Sequence, residues 1–282
     1  VVDIIDSIRE TEEKSREMDI SQEELVKMID HTELSPYATE GSIEELCKEA
    51  ERLGFRSVCV NPYYTKFCSE RLSGSGISID TVVGFPSGQN TIEEKAFETE
   101  KAIQNGATEI DMVINVAAFR DEKYDLVKEE IETVVDVAGG RPVKVILETG
   151  YLELEEISKA CKIVKGANAD FVKNATGFGP YGANIPHIYR MRSAVGENFG
   201  VKAAGGIKSL RGATRMIAAG ANRIGTSSGM EIINDCRKVN PKNWKIRDNL
   251  CFLCPASMVK VDEVTNSIYN YYKSKCKSCQ NR

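Results

Sequence analysis

The chain has 282 residues, 41% of them hydrophobic, and a formal net charge of −5. That length fits one barrel-sized core or two smaller ones, and the acidic balance, with no Lys/Arg stripe interleaved with aromatics, argues against a nucleic-acid partner. No apolar run approaches the roughly 18 residues of a membrane span, and nine cysteines, among them Cys47, Cys59, Cys68 and Cys161 inside apolar patterns, suit free thiols in a reducing cytoplasm better than a disulfide scaffold.

Residues 1–20 are charged, with Ile4, Ile5 and Ile8 at helical spacing. They predict a helical extension packed on the side or bottom of the main domain, and no leader peptide. From there a helix, a glycine and a β-rich run alternate. Strands are expected near 28–31, 57–60, 77–84, 109–114, 143–148, 170–173, 200–204 and 222–226. Gly54, Gly106, Gly166 and Gly220 each stand where a helix should end in a left-handed residue. Ser21 with Glu24, Ser42 with Glu45 and Thr91 with Glu94 match the capping box, in which a hydroxyl and a carboxylate satisfy the free N–H groups of a first turn.

Near-continuous apolar strands alternating with helices imply a parallel sheet covered on both faces. Eight such units imply closure, giving a (β/α)8 TIM barrel over residues 21–234 between an N-terminal extension, 1–20, and a C-terminal one, 235–282. A doubly wound open sheet is the alternative, but its Gly-x-Gly-x-x-Gly turn after the first strand is missing. The C-terminal extension carries two C-x-x-C pairs, Cys251 with Cys254 and Cys276 with Cys279. A tetrathiolate zinc clip is one reading. Packed or exposed thiols with no metal are the preferred one, because the knuckle glycines and flanking basic residues of many zinc ribbons are largely missing.

Chemistry concentrates at four ionisable residues within predicted strands: Asp111, Lys144, Lys173 and Lys202. Period-two alternation lets all four point into the barrel mouth while Ile110, Met112 and Val172 face the helices. A structural salt-bridge network is the bland explanation, yet three lysines against one aspartate would leave buried charge unpaired, which is costly. A reactive cluster explains the excess better. Burial and a second cation nearby both favour a neutral, nucleophilic amine at Lys173. Asp111 can then accept and return protons while Lys144 holds it in place.

A second signal is phosphate binding. Gly205 and Gly206 lie between the seventh strand and a helix capped by Ser209, and Gly225-Thr226-Ser227-Ser228-Gly229 follows the eighth. Backbone N–H groups at such loops and helix starts bind anions, and the last two loops of a barrel are the usual place. The remaining candidates read as structural: His31 as a satisfied buried histidine, His187 as exposed, Cys59 as core, and Lys95 and Lys101 as solvated helix residues.

Several long stretches in unbroken order from about Glu23 to Ile233 resemble the deoxyribose-phosphate aldolase family. They are Ile29-Asp30-His31-Thr32, Ser57-Val58-Cys59-Val60-Asn61-Pro62, Val83-Gly84-Phe85-Pro86, Glu109-Ile110-Asp111-Met112-Val113-Ile114-Asn115, Lys144-Val145-Ile146-Leu147-Glu148-Thr149, Asp170-Phe171-Val172-Lys173, Lys202-Ala203-Ala204-Gly205-Gly206-Ile207 and Arg223-Ile224-Gly225-Thr226-Ser227-Ser228. The resemblance implies a class I aldolase that reversibly cleaves 2-deoxy-D-ribose 5-phosphate to glyceraldehyde 3-phosphate and acetaldehyde. It implies Lys173 as the Schiff-base lysine, Asp111 and Lys202 as the proton-transfer pair with Lys144 and Thr176 beside them, and Gly177, Gly205, Gly206, Gly225, Ser227 and Ser228 around the phosphate. It implies no metal, no diffusible cofactor and a phosphorylated sugar as the small-molecule substrate; a homo-oligomer, dimer or tetramer, is expected. Where the family usually has Thr-Ser-Thr-Gly after the lysine, this chain has Asn174-Ala175-Thr176-Gly177, so a related aldolase of another phosphorylated sugar stays open, as does a non-catalytic sugar-phosphate sensor on the same barrel.

Overall fold

The structure, a computed structural model, describes residues 2–238. Eight parallel strands hydrogen-bond in chain order and close on themselves: β1 (Ile29–Glu33), β2 (Ser57–Val60), β3 (Ser78–Val83), β4 (Glu109–Val113), β5 (Val143–Ile146), β6 (Phe171–Lys173), β7 (Gly200–Ala204) and β8 (Arg223–Thr226). Closure runs through β1 and β8, where Ile29 pairs with Ile224 and His31 with Thr226. The expected strands are all present, with ends displaced by two residues at most. The fold is the (β/α)8 TIM barrel.

Between the strands lie α3 (Glu40–Leu53), α4 (Thr65–Arg71), α5 (Ile92–Gln104), α6 (Val116–Arg120), α7 (Tyr124–Ala138), α8 (Leu154–Gly166), α9 (Ile185–Val195) and α10 (Leu210–Ala218); α11 (Gly229–Lys238) follows β8, and α1 (Val2–Glu17) and α2 (Gln22–Val26) precede β1. Two of the three expected capping boxes form, at Ser21/Glu24 and Thr91/Glu94. The third is displaced: Thr39 is the cap of α3 and Ser42 its reciprocal partner, so the helix starts one turn before the Ser42/Glu45 pair. Gly54, Gly106 and Gly220 take the left-handed backbone with φ of 72, 95 and 113°. Gly166 does not, because α8 runs through it and Asn168, at φ 60°, makes the reversal instead. Asparagine is among the few other residues that tolerate that conformation.

The outer faces of the strands supply the apolar core. Ile110, Met112, Val145, Val172 and Val201 are fully buried against the surrounding helices. Helix α1 lies on α9 and α10, at the side of the barrel. Its face there is mostly small and polar, with Ser7, Ile8, Thr11 and Ser15 buried, and Glu12 pairs with the buried Arg215 of α10. The two C-x-x-C pairs, Cys251/Cys254 and Cys276/Cys279, lie outside the described residues.

Two surface expectations are overturned. Lys95 on α5 is fully buried, not solvated: its Nζ donates to the Val113 carbonyl at 2.9 Å and to Glu130 Oε2 on α7 at 2.6 Å. A carbonyl at the buried end of β4 needs a donor, and a long stem lets a helix lysine reach it. His187 is half-buried rather than exposed, its Nδ1 3.0 Å from Thr149 Oγ1. His31 is buried as expected, with Nε2 2.7 Å from Glu49, and Cys59 is core.

Candidate active site

Strand alternation turns a set of ionisable side chains inward at the barrel centre. Neighbouring strands place Asp111 of β4 opposite Lys144 of β5, and Lys173 of β6 opposite Lys202 of β7. Lys173 Nζ and Lys202 Nζ each donate to the same oxygen, Asp111 Oδ2, at 2.7 Å, while Lys144 Nζ donates to Oδ1 at 2.9 Å. One carboxylate therefore collects three ammonium groups, all almost fully buried.

The sequence-level count of three lysines to one aspartate is corrected here. Lys144 also meets Asp80 and Glu109, each at 2.9 Å, and Lys202 meets Asp30 at 2.6 Å and Asp80 at 2.9 Å. Arg223 of β8 adds a fourth cation, 2.7 Å from Asp30 and 3.3 Å from Glu109. Asp30, Asp80, Glu109 and Arg223 are charged neighbours of the cluster that the sequence pattern did not single out. Their signal was in the sequence: each lies in a predicted strand, and a charged residue inside a buried strand faces the barrel or nothing.

The charge states follow from this crowding. Burial alone would raise the Asp111 carboxyl, but Lys144, Lys173 and Lys202 hold it well below the usual carboxylate range. Burial would likewise lower Lys202 and Lys144; the surrounding aspartates outweigh it and keep both firmly protonated. Asp80 is the exception. Burial and the neighbouring Asp111 push it up to about 6, against the pull of Lys144 and Lys202. Its Oδ1 has no hydrogen-bond partner among the described residues. Carboxylate oxygens of Asp30, Asp80 and Glu109, and separately Cys59 Sγ with Asp80 and Asp111, come close enough to suggest cation ligands. The Lys144 and Lys202 ammonium groups already stand within 2.9 Å of those carboxylates, so the positive charge is supplied by the chain itself.

The loops at the C-terminal ends of β6, β7 and β8 adjoin this cluster. Gly205, at φ 92°, approaches the β6 loop so closely that a Cβ there would stand 2.9 Å from the Gly182 Cα, and the Ala183 amide donates to its carbonyl at 2.9 Å. Gly177 lies beside it, and Gly206 opens onto free space. Thr226 Oγ1 donates to the Ile207 carbonyl at 2.6 Å, fastening the β8 loop to the β7 loop. The backbone N–H groups of two helix starts, α10 capped by Ser209 and α11 just after the exposed Ser227, crown these loops. Two expected phosphate ligands read differently. Gly225 lies inside β8, where a Cβ would stand 3.2 Å from Lys202 Cε, so its bare backbone makes room for that lysine. The Ser228 amide is already committed to Thr226 Oγ1 at 2.9 Å, which leaves its hydroxyl.

Comparison with known proteins agrees with the geometry. The DeoC/LacD family aldolase model matches residues 25–235. A deoxyribose-phosphate aldolase of Clostridium tetani is 54% identical over 215 residues, covering 76% of this chain and all of its own length; one of Thermococcus gammatolerans is 52% identical over 218 residues, 76% of this chain and 97% of its own. The chain belongs to the DeoC/LacD aldolase family. Among solved structures, the tetrameric deoxyribose phosphate aldolase of Aeropyrum pernix superposes with a TM-score of 0.76 at 34% identity, over 81% of this chain and 97% of that one.

Within the DeoC/LacD family, the departure at Asn174-Ala175 falls immediately after the end of β6. Asn174 Oδ1 accepts the Ala204 amide at 2.7 Å, and its backbone carbonyl accepts the Thr149 amide at 2.8 Å. The side chain ties β6 to β7 through the backbone, and Ala175 is fully buried. Thr176, the hydroxyl that the chain keeps in this stretch, donates to the Glu148 carboxylate and accepts from the Phe178 amide at 3.0 Å.

Proposed function

We propose that Lys173 is the Schiff-base nucleophile of this enzyme, with Asp111 and Lys202 as its proton-transfer pair. The protein is a deoxyribose-phosphate aldolase, a carbon–carbon lyase of deoxyribose phosphate breakdown. The observation that carries the residue assignment is the single oxygen, Asp111 Oδ2, shared at 2.7 Å by the Lys173 and Lys202 nitrogens. A proton can pass between the attacking amine and a firmly charged lysine through one carboxylate.

Lys173 Nζ attacks the C1 aldehyde, and loss of water forms an iminium. Asp111, through a water and with Lys202, takes the C3 hydroxyl proton as the C2–C3 bond breaks. The iminium receives the bonding electrons and becomes an enamine, and glyceraldehyde 3-phosphate leaves. Reprotonation at C2 and hydrolysis release acetaldehyde and restore the amine. Lys144 holds Asp111 through Oδ1, and Thr176 contacts the substrate beside the lysine. Gly177, Gly205, Gly206, Ser227 and Ser228 hold the phosphate with backbone and hydroxyl donors, with Gly225 shaping the wall behind them.

Borohydride reduction in the presence of 2-deoxy-D-ribose 5-phosphate, followed by peptide mapping, tests the assignment. The two-carbon or sugar adduct is expected on the peptide carrying Lys173. An adduct on another lysine, or none, removes Lys173 from the role.

The division into a barrel of 21–234 with extensions 1–20 and 235–282 is part of the same reading; the family match to 25–235 and the placement of α1 outside the barrel support it. No described helix is long and apolar enough to cross a membrane. A cytoplasmic setting is supported by the free thiols Cys47, Cys59, Cys68, Cys161 and Cys236. A homo-oligomer, dimer or tetramer, is supported by the tetrameric relative and by the exposed aromatic rings of Tyr37, Tyr63 and Phe97. Sedimentation of the full chain decides it, and a monomer at micromolar concentration ends that part.

A further inference from the structure

Glu148 follows β5 and sits at φ 50° and ψ 60°, in the left-handed region that residues with a long side chain rarely enter. Such a residue persists only where its surroundings hold it, and functional sites are where this happens most. Its side chain is buried, 3% exposed. One oxygen, Oε2, accepts both the Thr176 amide, at 3.1 Å, and the Thr176 hydroxyl. The other, Oε1, has no hydrogen-bond partner among the described residues. Glu148 and Thr176 together line a cavity of about 420 Å³, whose wall also includes Arg120, Tyr151 and Phe178. The loop after Thr176 folds over the carboxylate so tightly that a Cβ on Gly179 would stand 2.6 Å from Glu148 Cδ.

The consequence lies in the hydrogens of Thr176. A threonine hydroxyl has one proton to give and two lone pairs to receive with. Its proton goes to Glu148, and one lone pair receives the Phe178 amide. A single lone pair is left. We propose that Glu148 is a positioning residue that fixes Thr176 as a hydrogen-bond acceptor three residues beyond the Schiff-base lysine, so that the site favours an aldehyde bringing a hydroxyl proton to that point over a plain aldehyde. The inference rests on Lys173 being the nucleophile.

Acetaldehyde has no hydroxyl to offer, which makes it the control. The measurements are kcat/KM for cleavage of 2-deoxy-D-ribose 5-phosphate and the rate of borohydride trapping of acetaldehyde on Lys173. Glu148→Ala lowers the first by about tenfold or more, the worth of one well-made hydrogen bond, and leaves the second within about threefold. Glu148→Gln, whose amide oxygen can accept both Thr176 bonds, recovers most of the sugar rate. Combining Glu148→Ala with Thr176→Val is no worse for the sugar than Thr176→Val alone, because both remove one interaction. Should Glu148→Ala fail to fold, Glu148→Asp, too short to reach Thr176, makes the same comparison. Parallel loss with sugar and acetaldehyde, loss with neither, or additive losses in the double variant each overturn the proposal. Failure of the wild type to trap acetaldehyde overturns the Lys173 reading first, before any variant is compared.

Discussion

Two buried ionic assemblies share one barrel wall, and they behave differently. Outside the wall, under α5 and α7, Lys95 and Glu130 form a single pair at 2.6 Å, and the rest of their capacity goes to backbone groups, the Val113 carbonyl and the Asn115 amide. Burial pushes each toward its neutral form, lowering Lys95 and raising Glu130. Inside the wall, Lys144, Lys173, Lys202 and Arg223 share Asp30, Asp80, Glu109 and Asp111, mostly with several partners per group. There the same burial is outweighed at Asp111, Lys144 and Lys202, which are held charged, and prevails only at Asp80. A lone pair barely repays desolvation, whereas a multivalent cluster does, and only the cluster has an atom with two competing donors. The outer pair clamps a strand end. The inner one can move a proton.

The sharpest way to break this contrast is Lys173→Leu. Turnover should disappear, more than about 10⁴-fold, while circular dichroism stays that of the wild type, because the outer pair and core are untouched. A wild-type rate in that variant sinks the nucleophile assignment. Next comes Lys202→Met, which removes the second donor from Asp111 Oδ2. A fall in kcat of about 10²–10⁴ is expected, larger than any change in KM, since the interaction serves proton transfer. Steady-state kinetics read it, and a pure KM effect would assign Lys202 to binding instead.

The outer pair should respond in the opposite currency. Lys95→Met leaves Glu130 buried and unpaired, costing about 3–5 kcal/mol in urea unfolding with kcat little changed at a temperature where the variant stays folded; adding Glu130→Leu should return much of the loss. An activity loss with intact stability would show that the two assemblies are not separable.

The smallest expected effect concerns Asp80, raised from the ordinary 3.8 to about 6. Between those values the native protein holds a proton that the unfolded chain has released. The contribution of Asp80 to stability is therefore full below pH 3.8 and is lost as pH rises through about 6. Asp80→Asn removes that loss. At pH 7 it should be more stable than the wild type by on the order of 1–3 kcal/mol, with the advantage fading below about pH 4. Thermal unfolding across that range checks it, and a pH-independent difference would rule out titration of Asp80 as the cause.

Much of this molecule was legible in one dimension. Apolar period-two runs between glycine-punctuated helices determined the strands and their number, because burial on both faces leaves few alternatives to a closed parallel sheet. The inward lysines and Asp111 were legible for the same reason: a charge in a buried strand must face a shared interior. What only the tertiary structure decided was who their partners are. Asp30, Asp80, Glu109 and Arg223 come from β1, β3, β4 and β8, and sequence spacing carries no distance between strands that meet only when the barrel closes. The inward turn of Lys95, the strand-tying Asn174, the place of Gly225 behind Lys202 and the hold of Glu148 on Thr176 were hidden likewise. Local patterns determine which face a residue presents; closure in space decides what it meets there, and the shifted acidities of Asp80, Asp111, Lys144 and Lys202 follow from that meeting.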